Sequence, residues 1–298
     1  MCGIFGCISS DAAVQVLQGL AKLEYRGYDS AGLAAIFDNH QGPIETERTT
    51  GYVSDLVSKA NGRFLGAKIS IGHTRWATHG GVSDTNAHPH SSNDGKITIV
   101  HNGIIENTYD LLERVTNLGY EMKSETDSEI IVHLMHHHLQ NQSPSKTTLD
   151  ALVSTVNLLR GSWAIAVIMS DYDEILVARQ GAPLILGRGH DKICISSDVQ
   201  PFYGVCSEVA YLNDGDVFSI SSGGIKSPDQ GNIPPFENLE GVFEEQDKGS
   251  IEVGKLADLT VLNQDLITVP EAEILNTEVL LTIVGGKVAY QRAETTAP

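Results

Sequence analysis

Short apolar runs recur through the first three quarters of the chain and constrain its fold more than any other feature. Candidate strands of four to seven residues occupy positions 32–37, 68–71, 97–100, 163–169, 175–178, 193–196 and 217–220. Stretches with helical spacing separate some of them, at 11–23, 107–118 and 127–139. Because strands are many and crossover helices are few, the sequence predicts an α+β fold of stacked antiparallel sheets flanked by helices.

The helix predictions rest on end caps and apolar stripes. Asp11 is placed to cap the first helix, and Thr126 and Glu129 form a candidate capping box at the start of the third. The apolar stripes of the three helices are Val14, Leu17 and Ala21; Leu111, Leu112, Val115 and Leu118; and Ile130, Ile131, Leu134 and Met135. Such stripes are typical of helices that pack one face against a core.

Composition excludes several classes of protein. A hydrophobic content of 41% is enough for a substantial core, and the net charge of −18 disfavours binding to nucleic acid or to an anionic membrane. The four cysteines show no CxxC spacing, which argues against a disulfide framework or a structural zinc site. No apolar run reaches the roughly 18 residues that a membrane span requires. We therefore expect a soluble, cytoplasmic protein.

The domain organisation changes near residue 221. The sequence SSGGIKSPDQGNIPPFENLEG, residues 221–241, is rich in Gly, Pro and Ser and lacks periodicity. The sequence therefore predicts a first domain at 1–221, a linker at 222–242 and a small β-rich module at 243–298. Within that module, two strand-like runs flank a candidate short helix at 270–275.

Cys2 is the strongest candidate nucleophile. Removal of Met1 would leave it with a thiol and a free α-amine on one residue. An α-amine titrates near pH ~8 and a thiol near ~8.5, so the amine is suited to take the thiol proton. This arrangement is the N-terminal-amine form of nucleophilic catalysis.

Five further segments extend this pattern: MCGIFG at 1–6, LEYRGYDSAG at 23–32, GHTRWATHG at 72–80, HNGIIEN at 101–107 and ETDSE at 125–129. Because it contains these segments in this order, the chain resembles the class II glutamine amidotransferases, whose nucleophile is N-terminal. The segments are most similar to the glutaminase half of the glucosamine-6-phosphate synthase branch. The resemblance implies an αββα sandwich, with two antiparallel sheets between helix layers, and no cofactor.

The resemblance also implies roles for individual residues. It makes Cys2 the nucleophile and places the Asn102 side-chain amide and the Gly103 backbone N–H at the oxyanion. It assigns the substrate carboxylate to Arg75 and the substrate ammonium to Asp127. Further residues of the implied substrate pocket are Thr78, His79 and Trp76, the last as part of a mobile lid.

Ordinary structural roles remain open for these residue types. Arg75 and Asp127 are of the types most often found as surface ions, and Asp127 also suits a helix N-terminus. Trp76 would serve as a core anchor, and Asn102–Gly103 is a common turn dipeptide.

Two groups of histidines have structural interpretations. His133, His136, His137 and His138 are predicted to lie on a solvated helix face, because no nearby Cys or acidic residue completes a metal site. By its resemblance to the family, the NAHPH segment containing His88 and His90 is predicted to form part of the pocket wall.

Residues 248–290 resemble the C-terminal strands of the metal-dependent amidohydrolases, with an ordinary β-hairpin tail as the alternative. The barrel and the HxH metal ligands of that superfamily are absent from the sequence, so no metal site and no amidohydrolase activity are expected. A fragment of a split sandwich leaves unpaired strand edges. We therefore expect either association with a partner, with a homo-oligomer formed through this module as one form, or a poorly packed tail.

Hydrolysis of the glutamine side-chain amide to glutamate and ammonia is the leading functional hypothesis. By resemblance the ammonia would aminate fructose 6-phosphate to glucosamine 6-phosphate. The sequence contains no isomerase domains, so that transfer would need a sugar-isomerase partner in trans. The alternatives are a glutamine amidotransferase for another acceptor and a non-catalytic glutamine-binding remnant.

Overall fold

The computed structural model describes residues 2–38, 42–76, 80–228, 233–239, 259–264, 276–284 and 287–291. The chain divides into two compact units, Met1–Leu239 and Glu240–Pro298. None of the helices within the described ranges is both long and apolar enough to cross a membrane.

The described residues of the first unit form two antiparallel sheets and five α-helices. Its strands are β1 Gly3–Ile8, β2 Ser30–Ile36, β3 Glu45–Thr50, β4 Ile69–Arg75, β5 His90–Ser91, β6 Ile97–Ile105, β7 Gly161–Met169, β8 Ile175–Gln180, β9 Ile185–Gly189, β10 Lys192–Ser196, β11 Glu208–Tyr211, β12 Val217–Ser221, β13 Gly224–Lys226 and β14 Glu237–Asn238. Its helices are α1 Ala12–Leu23, α2 Val53–Ala60, α3 Thr108–Asn117, α4 Asp127–Asn141 and α5 Thr148–Val156. Short 3-10 helices occupy Glu24–Arg26 and Gln200–Phe202.

The two sheets lie face to face between helix layers. The larger sheet has the strand order β14-β11-β9-β10-β1-β4-β2-β3, and the smaller has the order β13-β12-β8-β7-β6-β5. One apolar cluster joins the larger sheet to α1 and α2, a second joins the smaller sheet to α3, α4 and α5, and a third fills the space between the sheets. The predicted αββα sandwich is confirmed.

Successive side chains along the central strands alternate between two of these clusters. In β1, Phe5 and Cys7 face the helix layer, while Ile4 faces the other sheet. In β7, Ile165 faces the helices and Ala166 faces the opposite sheet. Both faces of a central strand are therefore buried, which explains why these strands are continuous apolar runs in the sequence.

The predicted apolar stripe of α1 is wrong by one position. Val16 and Leu20 are fully buried, whereas Leu17 is half-buried and Ala21 is exposed. Gly19 explains the orientation, because a Cβ there would lie 2.5 Å from the Phe5 ring of β1. The helix thus turns Gly19 toward the sheet, which lets the two elements approach closely.

The N-terminal caps also differ from the predictions. Asp11 and Thr126 occupy the N-cap positions of α1 and α4, but neither side chain makes a capping hydrogen bond. The Glu129 carboxylate accepts from the backbone N–H groups of Lys123 and Ser124 instead of closing a box with Thr126. The predicted capping box is therefore wrong.

The predicted apolar stripe of α4 is buried in full, whereas that of α3 is buried only in part. The α4 stripe, Ile130, Ile131, Leu134 and Met135, is buried throughout. In α3, Leu111 and Val115 are buried, but Leu112 and Leu118 are 38% and 40% exposed. Only two residues of that predicted stripe therefore face the core.

Two helices and several strands of the first unit were not predicted. Helix α5 begins at a capping box between Thr147 and Asp150 and buries Leu149 and Leu152. Strand β3, with the polar sequence ETERTT, lies at the end of the larger sheet and, among the described strands, pairs with β2 alone. An edge strand has few buried residues, so it lacks the apolar signature used for prediction.

The segment between the predicted domains contains two short strands in its described part. β13 pairs with β12, and β14 pairs with β11, so both extend the sheets of the first unit.

The second unit contains a three-stranded antiparallel sheet. Its strands are β15 Leu259–Leu262, β16 Val279–Val284 and β17 Lys287–Gln291, in the order β15-β16-β17. The helix predicted at 270–275 lies outside the described residues.

Candidate functional site

The candidate site lies where ends of both sheets meet. Cys2 immediately precedes β1, Arg75 ends the neighbouring strand β4, and Trp76 follows it. Asn102 belongs to β6 of the other sheet and donates its Nδ2–H to the Cys2 carbonyl oxygen over 3.1 Å. Asp127 is the first residue of α4.

Cys2 is half-buried and held by backbone and charged groups. The Trp76 backbone N–H donates to Cys2 Sγ over 3.3 Å, and Arg26 Nε donates to the Cys2 carbonyl oxygen over 3.1 Å. Arg26 is itself paired with Asp198 at 2.9 Å. Burial raises the pKa of the Cys2 thiol, while the Trp76 N–H and the positive charges of Arg75 and Arg26 oppose that rise.

Asn102 and Gly103 lie within strand β6 and not in a turn. The Asn102 Oδ1 atom is 3.0 Å from His73 Nε2, so both ends of the side-chain amide have partners. Gly103 has a φ of 126°, a backbone conformation that favours glycine. The turn interpretation of this dipeptide is therefore wrong.

Arg75 and Asp127 are buried and are not surface ions. They are 4% and 8% exposed, respectively. Arg75 Nη1 donates to the Gly81 carbonyl oxygen over 3.2 Å, and Asp127 Oδ2 accepts from the Ile105 backbone N–H over 2.9 Å. Burial lowers the pKa of Arg75, and the nearby negative groups, including Asp127, oppose that effect.

One narrow cavity joins most of the predicted residues. It is lined by Cys2, Arg75, Trp76, His88, His101, Gly103, Thr126, Asp127 and Ser128. Trp76 is 45% exposed at this cavity, so it is not a core anchor. The predicted pocket residues Thr78 and His79 lie outside the described residues.

His73 and His101 belong to a buried group of histidines and were not predicted as part of the site, whereas His88 belongs to the predicted pocket wall and lines the cavity. His73 stacks on His88 with ring centroids 4.0 Å apart. Ser128 Oγ lies 2.9 Å from both His88 Nε2 and His101 Nδ1. The signal was present, since His73 and His101 belong to the GHTRWATHG and HNGIIEN segments, but it gave no indication of their burial.

The histidines of α4 differ from their predicted solvated face. His133 is fully buried and stacks on Tyr120 at 4.9 Å, and His136 Nδ1 is 2.7 Å from the Tyr120 hydroxyl. Because histidine counts as polar in a pattern analysis, the sequence did not indicate that Tyr120 packs against the histidines of α4. Within the described ranges, no group of three or more His, Cys, Asp or Glu is arranged to hold a metal ion.

Known proteins share this arrangement of segments. Residues 73–204 match the glutamine amidotransferase domain family. A glutamine–fructose-6-phosphate aminotransferase (isomerizing) of Neisseria meningitidis serogroup A is 42% identical over 258 residues, which cover 85% of the chain and 41% of that protein. The first unit of the chain belongs to the class II glutamine amidotransferases.

Other comparisons bear on the length and the fold of this amidotransferase. An enzyme of the same name from Shewanella oneidensis is 38% identical over 294 residues, covering 97% of the chain and 47% of that protein. The amidotransferase thus spans less than half the length of both relatives. The Bacillus subtilis glutamine phosphoribosylpyrophosphate amidotransferase, complexed with ADP and GMP, has a TM-score of 0.66 at 24% identity, covering 78% of the chain and 50% of its own, which supports the fold.

The tail of the amidotransferase matches a different family. Residues 240–290 match the amidohydrolase family.

Proposed function

We propose that this amidotransferase hydrolyses the side-chain amide of glutamine, with Cys2 as the nucleophile. The observation that carries the proposal is the cavity shared by the Cys2 thiol, the buried cation Arg75 and the buried anion Asp127. A free amino acid presents a carboxylate and an ammonium at a fixed separation. Two buried charges of opposite sign beside a nucleophile suit such a substrate.

The chemistry begins at Cys2 once Met1 has been removed. The α-amine takes the thiol proton, and the thiolate attacks the amide carbon of glutamine to form a tetrahedral intermediate. Asn102 Nδ2–H and the Gly103 backbone N–H stabilise its oxyanion, and each donor contributes roughly 3 kcal/mol to lowering the barrier. The carbon–nitrogen bond then breaks, and ammonia leaves with the proton held by the amine.

Water completes the cycle. It attacks the thioester carbon, and the carbon–sulfur bond breaks to release glutamate and restore the Cys2 thiol. Throughout, Arg75 binds the substrate carboxylate and Asp127 binds its ammonium. Trp76, whose backbone N–H contacts Cys2 Sγ, covers the reacting atoms, and Thr78 and His79 contribute to the pocket.

The ammonia is proposed to aminate fructose 6-phosphate at a sugar-isomerase unit. Support comes from the relatives named as glutamine–fructose-6-phosphate aminotransferases, of which the chain spans less than half. The proposal is tested by assaying amino-sugar formation with and without an isomerase unit. The competing outcome is transfer of the ammonia to a different acceptor.

The C-terminal module is proposed to mediate self-association. In its three-stranded sheet β15 and β17 each pair only with β16 among the described strands, and Val279, Leu280, Val288 and Tyr290 are exposed. Sedimentation of the full chain and of a chain ending at Leu239 tests this idea. Equal monomeric masses for the two would contradict it.

A matched pair of cysteine variants tests the hydrolysis. We expect Cys2→Ala to lower glutamate release by at least about 1,000-fold, because it removes the nucleophile. Cys206→Ala removes a thiol outside the site and is expected to retain turnover. Intact-mass measurement first establishes that Met1 has been removed.

Two results would contradict the proposal. One is a Cys2→Ala variant that retains full turnover. The other is a folded wild-type protein, lacking Met1, that binds glutamine without releasing glutamate, which would indicate a non-catalytic glutamine-binding module.

A further inference from the structure

His73 occupies a fully buried position directly behind Asn102. It lies in β4, between the two sheets, and its ring stacks on that of His88 at an interplanar angle of 28°. Its Nε2 atom is 3.0 Å from two oxygens, the His101 backbone carbonyl oxygen and Asn102 Oδ1. His73 takes no part in the bond-forming and bond-breaking steps of the proposed hydrolysis.

The His101 carbonyl fixes the tautomer of His73. A backbone carbonyl oxygen only accepts hydrogen bonds, so the His73 nitrogen that faces it must carry the proton. Burial lowers the pKa of His73 to about 3, which keeps the ring neutral near pH 7. A neutral ring with a proton on Nε2 has none on Nδ1, and Nδ1 has no hydrogen-bond partner among the residues that the structure describes.

The tautomer of His73 in turn fixes the orientation of the Asn102 amide. With Nε2–H as a donor, the oxygen of the amide must face His73, because the alternative would place two donors against each other. The Nδ2 group then faces Cys2 and donates to its carbonyl oxygen over 3.1 Å. The orientation of the Asn102 amide therefore follows from the His101 backbone carbonyl oxygen. It does not depend only on which end of the amide is assigned as oxygen.

We propose that His73 is a positioning residue that holds the Asn102 amide with its N–H donor directed to the reaction centre. This inference rests on the proposed hydrolysis, in which that donor stabilises the oxyanion. His73 does not touch the substrate and acts through Asn102. An amide free to rotate would present its oxygen to the oxyanion for part of the time and would repel it.

The rest of the buried cluster supports the ring in place. His88 covers one face of the His73 ring, and His88 Nε2 is 2.9 Å from Ser128 Oγ. Ser128 also contacts His101, the residue whose carbonyl oxygen accepts from His73. A positioning residue needs such support, because loose supporting contacts transmit their disorder to the site.

Two substitutions separate the hydrogen bond from simple packing. His73→Leu removes the donor, and we expect kcat to fall by about 100-fold to 1,000-fold, the usual effect of losing an oxyanion donor, with KM changed less than about threefold. His73→Gln can place an amide N–H near the position of Nε2. It is expected to recover at least about tenfold of the lost kcat.

A double-mutant cycle with Asn102→Ala identifies the route of the effect. If His73 acts through Asn102, adding His73→Leu to the Asn102→Ala variant lowers kcat by less than about threefold. A full 100-fold loss in that background would overturn the proposal. Equal losses for His73→Leu and His73→Gln in folded proteins would do the same.

Nitrogen-15 NMR of the histidine rings provides a test that needs neither turnover nor a substitution at position 73. We expect the ring of His73 in the wild-type chain to be neutral and protonated at Nε2 near pH 7. Its Nε2–H resonance should move in Asn102→Ala, which removes one acceptor. A ring protonated at Nδ1, or a resonance unchanged in that variant, would overturn the inference.

Turnover measurements and NMR together distinguish the role of His73 from the proposed hydrolysis. Absence of turnover in the wild-type chain contradicts the hydrolysis, and the NMR result then decides the hydrogen bond from His73 to Asn102 by itself. Turnover together with the wrong tautomer overturns only the role of His73.

Discussion

Gly103 is required both by the backbone geometry of the sheet and by the proposed oxyanion contact. It lies in β6 opposite Trp163 of β7, with a φ of 126°. A Cβ at this position would overlap the Ser162 carbonyl oxygen. Both the conformation and the space therefore require glycine, and the requirement comes from the sheet as well as from the proposed oxyanion contact.

Replacing Gly103 by alanine should therefore destabilise the sheet. We expect Gly103→Ala to lower the free energy of unfolding by roughly 3–5 kcal/mol, the sum of backbone strain and overpacking. Gly119→Ala is a matched control, since Gly119 has a φ of 87° but no atom within 4 Å of an added Cβ. The control should lose only about 1 kcal/mol in urea unfolding, and equal losses would contradict the steric argument.

Sequence predicted the charged and reactive residues of the site better than the residues that hold them. Cys2, Arg75 and Asp127 belong to recognisable segments, and the structure brings them to one cavity. The support from His73 was not predicted, and His88 was predicted only as part of the pocket wall, because burial and stacking depend on segments far apart in the chain. Histidine is polar in any pattern analysis, and five of the described histidines are nevertheless buried: His73, His88, His90, His101 and His133.

At the scale of elements, the start of α4 is anchored by a buried carboxylate. Glu129 is 2% exposed and accepts from the Lys123 N–H over 2.8 Å and from the Ser124 N–H and Oγ over 2.6 Å each. Burial opposes its ionisation, but His133 and these hydrogen bonds outweigh burial and lower its pKa from 4.5 to about 2. Because Asp127 opens the same helix, this anchor also positions the proposed ammonium contact.

The depressed pKa of Glu129 predicts a pH-dependent contribution to stability. A pKa that falls from 4.5 to about 2 on folding corresponds to roughly 3 kcal/mol, present above pH 4.5 and lost as the pH falls through 4.5 toward 2. Glu129→Gln should therefore cost about that much at pH 7 and clearly less at pH 3, measured by urea unfolding. The exposed residue Glu113 provides the control, because Glu113→Gln should change stability by less than about 0.5 kcal/mol. A cost for Glu129→Gln that does not change with pH would contradict the prediction.

At the level of elements, the sequence predicted buried residues of α4 but not the buried face of α1. The stripe of α4 lies within a stretch that is buried on all sides, whereas the α1 stripe failed because Val14 and Leu17 are as apolar as Val16 and Leu20. Periodicity alone cannot choose between two apolar faces of one helix. The deciding factor was the close approach of Gly19 to Phe5, a contact between elements that local sequence does not contain.

At the scale of the whole molecule, the first unit continues beyond its last long strand. After β12, Gly224–Lys226 pairs back onto β12, and Glu237–Asn238 pairs with β11. Phe236 lies 3.8 Å from the Arg188 guanidinium, and both Ile225 and Phe236 pack on the cluster between the sheets. Residues up to Leu239 therefore contribute to the core of the amidotransferase unit.

Two truncations test where that unit ends. A chain ending at Leu239 retains all three apolar clusters and the residues of the cavity, so we expect its thermal midpoint to lie within about 2 °C of that of the full chain and its glutamate release to be unchanged. A chain ending at Ser221 loses β13, β14 and the packing of Ile225 and Phe236. Exposing that surface should cost about 2–4 kcal/mol, or roughly 5–15 °C in midpoint. If residues 222–242 act only as a linker, the two truncated chains will unfold at the same temperature.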